Sequence, residues 1–157
     1  MIDHQTRFLL QELLAEYAHC LDAGEFERWP AYFTESGRYR ITSEFNYGRG
    51  LPAGIMQADN QRMMTDRIAA LRDANIYEPQ SYRHILSGSR ITGEDPGLVS
   101  LETNFLVVRT MHSGDQMLFA SGRYIDDVVA KEGNWYFQTK IVVLDSDKID
   151  TLLVIPL

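Results

Sequence analysis

The chain is poor in cysteine, in basic residues and in long apolar runs. Cys20 is the only cysteine among 157 residues, so no intrachain disulfide can form and zinc sites built from several thiolates are excluded. Unpaired cysteine is usually buried, and we expect a buried free thiol here. Lys and Arg total 15 against 22 Asp and Glu, and the formal charge of -7 is opposite to the charge that holds nucleic acid. Nucleic acid is therefore not an expected partner.

Signals for membranes, secretion and common cofactors are also missing. No stretch reaches the about 20 apolar residues of a membrane span, and MIDHQTRFLLQELL lacks a basic start followed by an apolar core. The signatures of dinucleotide, nucleotide and serine-hydrolase sites are absent, and the histidines (His4, His19, His84 and His112) form no metal motif. We predict a cytoplasmic protein of one domain, 1–157, with no membrane partner and no metal-binding or cofactor-binding residue of its own.

The amino-terminal part is predicted to be helical. Apolar residues recur at intervals of three and four, which predicts an amphipathic helix from His4 to Leu21 with Asp3 as its cap. A short second helix is expected after Gly24, and Pro30 should bend or end it. The residues that predict these two helices are Leu10, Leu13, Leu14, Tyr17 and Leu21 in the first, and Phe26, Trp29 and Phe33 in the second.

A strand, a loop and a third helix are expected next. Residues Gly37 to Ser43 alternate in the period of a strand, and the glycines and prolines between Glu44 and Gln57 favour an ordered loop. Asp59 is a candidate cap for the third helix. The apolar face of that helix is predicted to hold Met63, Met64, Ile68 and Leu71.

The second half, from Tyr82 onward, is rich in β-strand signals. Strands are predicted over Leu98–His112, Gln116–Ala130 and Asn134–Ser146, separated by short glycine-containing turns. Short turns between long strands make antiparallel neighbours, and an open sheet needs a layer on its apolar face. The predicted class is α+β, with a curved antiparallel sheet wrapped over the amino-terminal helices.

Tyr17, Asp22 and His84 are the candidate catalytic residues. A sheet curled over helices leaves a cone-shaped hollow in which they could meet, and a carboxylate paired with an imidazole suits proton transfer in a dehydratase or isomerase. The competing interpretation is structural: Asp22 binds backbone N–H groups at a turn, and His84 is satisfied at a strand edge or interface.

Strand arginines and the chain end indicate contacts that the sequence does not resolve. Guanidinium groups on half-buried strands need carboxylate partners, either on a solvated sheet face or across an oligomer contact that includes aromatic residues. The run from Leu152 to Leu157 is uncharged and should dock inside the fold or on a partner subunit. The arginines are Arg38, Arg40, Arg83, Arg90, Arg109 and Arg123, and the aromatic residues are Phe105, Phe119, Tyr124 and Tyr136.

Several stretches together resemble a known family. EYAHCLDAGEFERWPAYFTESGRYRI resembles the nuclear-transport-factor-2-like superfamily of cone-shaped α+β proteins. WPAYFTESGRYRI, GLPAGIMQADNQRMMTDRIAALRDANIYEPQSYRHILSG, FASGRYID and the terminal IDTLLVIPL resemble the small (β) subunits of aromatic-ring-hydroxylating dioxygenases. DRIAALRDANIY followed by YRHILSG is most similar to the small subunits associated with terephthalate, salicylate or anthranilate oxygenation.

The resemblance implies a structural subunit without catalytic residues. The large (α) subunit would hold the Rieske [2Fe–2S] cluster and the mononuclear iron, in an α3β3 hexamer built on a β trimer. Electrons would come from NAD(P)H through a reductase, sometimes with a ferredoxin. Superfamily relatives that are dehydratases or isomerases hold acid/base residues where Asp22 and His84 lie, so a stand-alone enzyme remains the alternative. A small-molecule-binding module is a third possibility.

Overall fold

The structure, a computed structural model, describes residues 1–74, 79–148, 153 and 155–157. It begins with helix α1, His4–Asp22, and the Asp3 side chain caps that helix by accepting a 2.7 Å hydrogen bond from the Thr6 N–H. The predicted helix and its cap are therefore confirmed, with one more residue at the end. Cys20 is buried on α1, as expected, and burial raises the pKa of its thiol.

The second predicted helix is a 3₁₀ helix, Phe26–Tyr32, with Pro30 inside it. Tighter 3₁₀ geometry suits such a short connection. Phe33 was expected in this helix but begins strand β1, Phe33–Ser43, which is longer than predicted. Trp29 and Phe33 nevertheless both lie in the core.

The loop predicted between Glu44 and Gln57 is partly wrong, because it contains α2, Glu44–Gly48, and the start of β2, Met56–Ala58. Helix α3, Gln61–Ala74, is not capped by Asp59 as predicted. Asn60 takes that role, since its Oδ1 accepts from the Met63 N–H at 2.9 Å. Met64, Ile68 and Leu71 are buried, as predicted for the apolar face of this helix, but Met63 is exposed.

Four long strands follow: β3, Gln80–Asp95; β4, Leu98–Met111; β5, Gln116–Lys131; and β6, Asn134–Leu144. The last three lie close to the predicted strands, and β3 lies in the region from Tyr82 onward that was predicted to be rich in strands. The six strands form one sheet in the order β2-β1-β6-β5-β4-β3. Its neighbours are antiparallel except β1 and β6, which are parallel because the intervening chain crosses over. The turns use left-handed residues, such as Gly97 at φ 77° and Gly133 at φ 79°.

One face of the sheet, the inner face, packs on the helices. Tyr17 of α1 lies edge-on to Tyr124 of β5 and Phe137 of β6, with ring centroids 6.2 and 5.4 Å apart. The opposite face, the outer face, carries the alternate side chains of the strands. The carboxyl-terminal residues Ile155 and Leu157 are buried in the core, so of the two alternatives docking inside the fold is correct for them, whereas 149–152 and 154 lie outside the described residues.

Candidate functional site

Asp22 and His84 are in direct contact, as the sequence suggested. Asp22 is the last residue of α1, and His84 lies on β3, an edge strand of the sheet. The Asp22 Oδ1 lies 2.6 Å from the His84 Nδ1, and the two carboxylate oxygens also accept the His84 backbone N–H at 3.1 and 3.0 Å. The side chains are only 7% and 0% exposed. Asp22 therefore joins the end of a helix to the edge of the sheet.

The hydrogen bonds of Asp22 define how His84 can act. Because a carboxylate only accepts, Nδ1 is the protonated ring nitrogen. The other nitrogen, Nε2, is buried and has no hydrogen-bond partner in the part of the chain that the structure describes. The pair has the arrangement of an oriented base, but its outer nitrogen is closed off from solvent.

Tyr17 is not brought to this pair. Its hydroxyl donates to the Leu157 carbonyl oxygen at 2.8 Å and accepts from the Trp29 Nε1 at 3.2 Å. Complete burial raises the pKa of Tyr17 well above its usual value. The prediction that Tyr17, Asp22 and His84 meet is therefore wrong for Tyr17, because its hydroxyl binds Leu157 in the carboxyl-terminal segment.

That segment occupies the hollow beneath the sheet. The Tyr39 hydroxyl donates to the Leu157 carbonyl oxygen and accepts from the Leu157 N–H, both at 2.9 Å. Trp29 packs edge-on against Tyr39, with ring centroids 5.0 Å apart. This part of the predicted hollow is thus filled by Leu157 and by aromatic side chains.

A second buried polar pair was missed by the sequence analysis. The Lys140 Nζ lies 3.1 and 3.2 Å from the Asp126 carboxylate oxygens, and both side chains are fully buried. The ammonium also lies 3.7 Å from the Tyr124 ring centroid and 4.3 Å from that of Phe137. Burial raises the pKa of Asp126 to about 6 against the opposing effect of Lys140, and burial lowers the pKa of Lys140.

A sequence signal existed for only one of these two residues. Tyr124, Asp126 and Val128 alternate on β5, which places Asp126 on the inner face. On β6 the pairing with β5 shifts between Phe137 and Thr139, so Lys140 turns inward against the simple alternation.

The strand arginines divide into paired and unpaired groups. Arg90 and Arg123 both bind Glu102, at 3.0 and 3.3 Å, and Arg38 lies 3.8 Å from Asp59. For Arg40 and Arg83 no hydrogen bond or ion pair is found within the described residues. On the outer face, the guanidinium groups of Arg38, Arg90 and Arg123 therefore lie near carboxylates. Those of Arg40 and Arg83 have no such partner within the described residues.

Three residues assigned to a half-buried or packing face lie elsewhere. Phe105 and Tyr124 are stacked in the core with centroids 4.5 Å apart, because their strand positions point inward. Arg109 is buried, with its guanidinium 4.7 Å from the centre of the Phe119 ring. None of these three can form an outer packing surface.

Metal and membrane features can be stated for the described ranges. Over 1–74, 79–148, 153 and 155–157, no group of three or more His, Cys, Asp or Glu side chains could hold a metal ion. No helix in those ranges is long and apolar enough to cross a membrane.

Comparison with known proteins identifies the family. A SnoaL-like domain matches residues 6–140. The chain is 46% identical over 143 residues to the β1 subunit of the terminal oxygenase component of terephthalate 1,2-dioxygenase from Comamonas, covering 91% of this chain and 93% of that protein. It is 39% identical over 155 residues to the anthranilate 1,2-dioxygenase small subunit from Burkholderia cepacia, covering 99% and 96%. The chain belongs to the family of aromatic-ring-hydroxylating dioxygenase β subunits.

A solved structure agrees with this assignment. The crystal structure named as an aromatic-ring-hydroxylating dioxygenase β subunit from Novosphingobium aromaticivorans superposes with a TM-score of 0.89 at 30% identity, covering 96% of each chain. The expected α+β class and the resemblance to dioxygenase β subunits are both confirmed. As a β subunit, the chain is part of an oxidoreductase and has a large-subunit partner.

Proposed function

We propose that this β subunit is the non-catalytic structural subunit of a multicomponent oxygenase that hydroxylates an aromatic acid. The observation that carries the proposal is identity of 46% and 39% to named dioxygenase β subunits over nearly the whole chain. Both relatives are named for aromatic carboxylic acids, terephthalate and anthranilate, which supports an acid of this class as the substrate of the whole enzyme.

The contacts of Asp22 and His84 support a structural role for both residues. The Asp22 carboxylate accepts the backbone N–H of an edge strand as well as the imidazole N–H, which is how a helix end is fixed to a sheet. Since the Nε2 of His84 is buried, a substrate would have to displace neighbouring side chains to reach it. No residue of this chain is then catalytic.

The remaining parts of the enzyme lie in other chains. The large (α) subunit holds the Rieske [2Fe–2S] cluster and mononuclear iron, which supply electron transfer and oxygen activation. Three large and three small subunits form an α3β3 hexamer around a β trimer, in the cytoplasm. A reductase delivers electrons from NAD(P)H to the α subunit, with or without a ferredoxin. This chain contributes one domain, 1–157, to the assembly.

Purification from the native cell tests the proposal. The tagged chain should come with a stoichiometric large subunit, iron and Rieske absorbance. Asp22→Asn and His84→Ala should reduce assembly or thermal stability, while turnover per iron of the assembled fraction stays near wild type. Asp66→Asn, an exposed carboxylate on α3, is the matched control. Full assembly and iron content with collapsed turnover would overturn the non-catalytic assignment.

A stand-alone dehydratase or isomerase is the second candidate, and the 2.6 Å contact between Asp22 and His84 is the observation that favours it. It requires the side chains that bury the His84 Nε2 to move during turnover. An iron-free preparation of this chain alone, with an activity that His84→Ala abolishes, would establish this candidate instead.

A further inference from the structure

A cavity at the β2 edge of the sheet, on the face opposite the helices, contains two arginine side chains. We call it the arginine cavity; its volume is about 280 Å³, and the residues that line it include Arg38, Arg40, Pro52, Gln57, Thr139 and Ile141. The strand register places Arg40 between Gln57 of β2 and Ile141 of β6, and Arg38 opposite Thr139 in the next row on this face. The arginine cavity is therefore built on three paired strands.

Arg40 is held in place without a partner for its charge. The residue is half-buried, and a Cβ on Gly54 would lie 3.0 Å from its Cγ and 3.4 Å from its Cδ, so the glycine lets the chain pack directly on the arginine stem. Within the described residues the Arg40 guanidinium makes no hydrogen bond or ion pair. Because its stem is already packed, little order would be lost when it binds an anion.

The carboxylates near the arginine cavity do not neutralise both arginines. Arg38 lies 3.8 Å from Asp59, which is beyond hydrogen-bond distance, and the Asp59 Oδ1 already accepts from the Gln57 amide at 2.9 Å. Asp127 of β5, in the row of Arg38, accepts from the Ser100 hydroxyl at 2.6 Å. Two arginines that are two positions apart on one strand have backbones about 6–7 Å apart, and their like charges repel. A bound anion would remove that repulsion.

The lining of the arginine cavity favours a small organic acid over an inorganic anion. A guanidinium matches a planar carboxylate with two parallel hydrogen bonds. Pro52 and Ile141 supply apolar surface beside the arginines, and the Thr139 hydroxyl, which has no hydrogen-bond partner within the described ranges, is a further donor. The volume lies at the lower end of the about 300–1,000 Å³ that is usual for small-molecule pockets, and it therefore suits an acid with a single ring.

We propose that the arginine cavity binds a small carboxylic acid with an apolar body, such as a single-ring aromatic acid. Arg40 forms the two parallel hydrogen bonds to the carboxylate, and Arg38, whose side chain is 64% exposed, adds positive charge at the opening. The apolar body lies against Pro52 and Ile141. This site goes beyond the proposed function, which gives the chain a structural role and no ligand of its own.

Titration of the purified chain with benzoate tests the site, with proton–nitrogen correlation NMR of the arginine Nε–H groups as the readout. Benzoate should shift the Arg40 signal in a saturable way. Benzamide has nearly the same shape without the charge and should bind about tenfold more weakly, and phosphate should also bind more weakly because it has no apolar body. Absence of a saturable shift at Arg40, or binding of benzamide or phosphate as tight as that of benzoate, would overturn the inference.

Substitutions separate a built site from a general attraction of benzoate to free guanidinium groups. Arg40→Gln should weaken benzoate binding by about tenfold, because the charged hydrogen bonds are lost. Arg40→Lys keeps the stem and the charge, which guards against a folding defect, and should still bind more weakly than wild type because the paired hydrogen bonds are lost. Arg83→Gln is the matched control: Arg83 is also a strand arginine without a partner within the described residues, but it lies outside the arginine cavity, so the affinity should not change. Unchanged affinity in Arg40→Gln, or an equal loss in Arg83→Gln, would overturn the inference.

Discussion

The buried pair between Lys140 and Asp126 should be strongly coupled, so removal of one partner should cost far more stability than removal of both. Lys140→Met leaves the Asp126 carboxylate buried without the ammonium that now lies 3.1 Å away. Asp126→Leu leaves the ammonium without its counter-charge, although the Tyr124 ring remains 3.7 Å from it. The double substitution replaces the pair with apolar side chains of similar size.

The expected magnitudes follow from the complete burial of both side chains. Breaking a buried pair from one side costs about 3–5 kcal/mol, since an uncompensated charge is left behind. Replacing both partners is often neutral or stabilising by about 1–4 kcal/mol, because the desolvation penalty disappears with the charges. The lost attraction between the ammonium and the aromatic rings is worth about 0.5–2 kcal/mol, so we expect the double variant to be close to wild type.

Urea unfolding of the purified chains at fixed pH, followed by far-UV circular dichroism, measures these differences. Arg28→Met is the control, because it breaks the exposed ion pair with Glu25 and should cost about 1 kcal/mol or less. A single substitution at Lys140 or Asp126 that costs no more than this control would refute the reasoning. So would a double variant whose loss equals the sum of the two single losses.

The same pair predicts a pH dependence. The folded-state pKa of Asp126 is raised to about 6 from a usual value of 3.8, so between these values the folded chain holds a proton that the unfolded chain has released. Stability from this group therefore increases as the pH falls from above 6 toward 4 and is lost as the pH rises through 6. The deficit of Lys140→Met relative to the double variant should be smaller at pH near 5 than near 8. An equal deficit at both would contradict the prediction.

Three further substitutions have definite expected outcomes. Gly122→Ala would place a Cβ 1.9 Å from the Val143 carbonyl oxygen and should cost about 1–3 kcal/mol in urea unfolding, whereas Gly88→Ala has no atom within 4 Å and should not match that loss. Tyr39→Phe removes the acceptor of the buried Leu157 N–H and should cost about 1–3 kcal/mol, with faster hydrogen exchange at that amide; unchanged exchange would contradict the contact. Asp3→Ala removes the cap of α1 and should cost about 1 kcal/mol, and an unchanged melting temperature would count against it.

Local periodicity was enough to predict the helices and strands that carry a clean pattern. The first helix and its cap follow from the spacing of Leu10, Leu14 and Tyr17 and from Asp3, since a buried stripe and a capping oxygen act over a few residues. The last three long strands follow from their β-rich sequences and the glycine-containing turns between them. Elements that depend on non-local pairing were missed. The short strand β2 forms because it pairs with β1. The parallel pairing of β1 with β6 joins strands from opposite ends of the sequence, which no local pattern predicts.

The candidate site was half predictable. Asp22 and His84 were named together from their residue types and from a family resemblance, and their contact is real. Tyr17 was grouped with them because it lies on the same helix as Asp22, but a shared helix does not place two side chains at the same site. The Tyr17 hydroxyl binds the Leu157 carbonyl oxygen instead. No local pattern could state that the end of the chain would lie in the hollow.

The sequence by itself determined the fold class and the burial of the main apolar stripes, because these depend on short periods of apolar residues. The resemblance to oxygenase β subunits came from the matching stretches themselves. Only the tertiary structure decided which polar groups are paired. The register shift before Lys140 turns that residue toward Asp126, and the sheet places Arg83 beside apolar neighbours with no carboxylate. Contacts of this kind join residues that are distant in sequence, and their distances depend on how the strands pair rather than on any one segment.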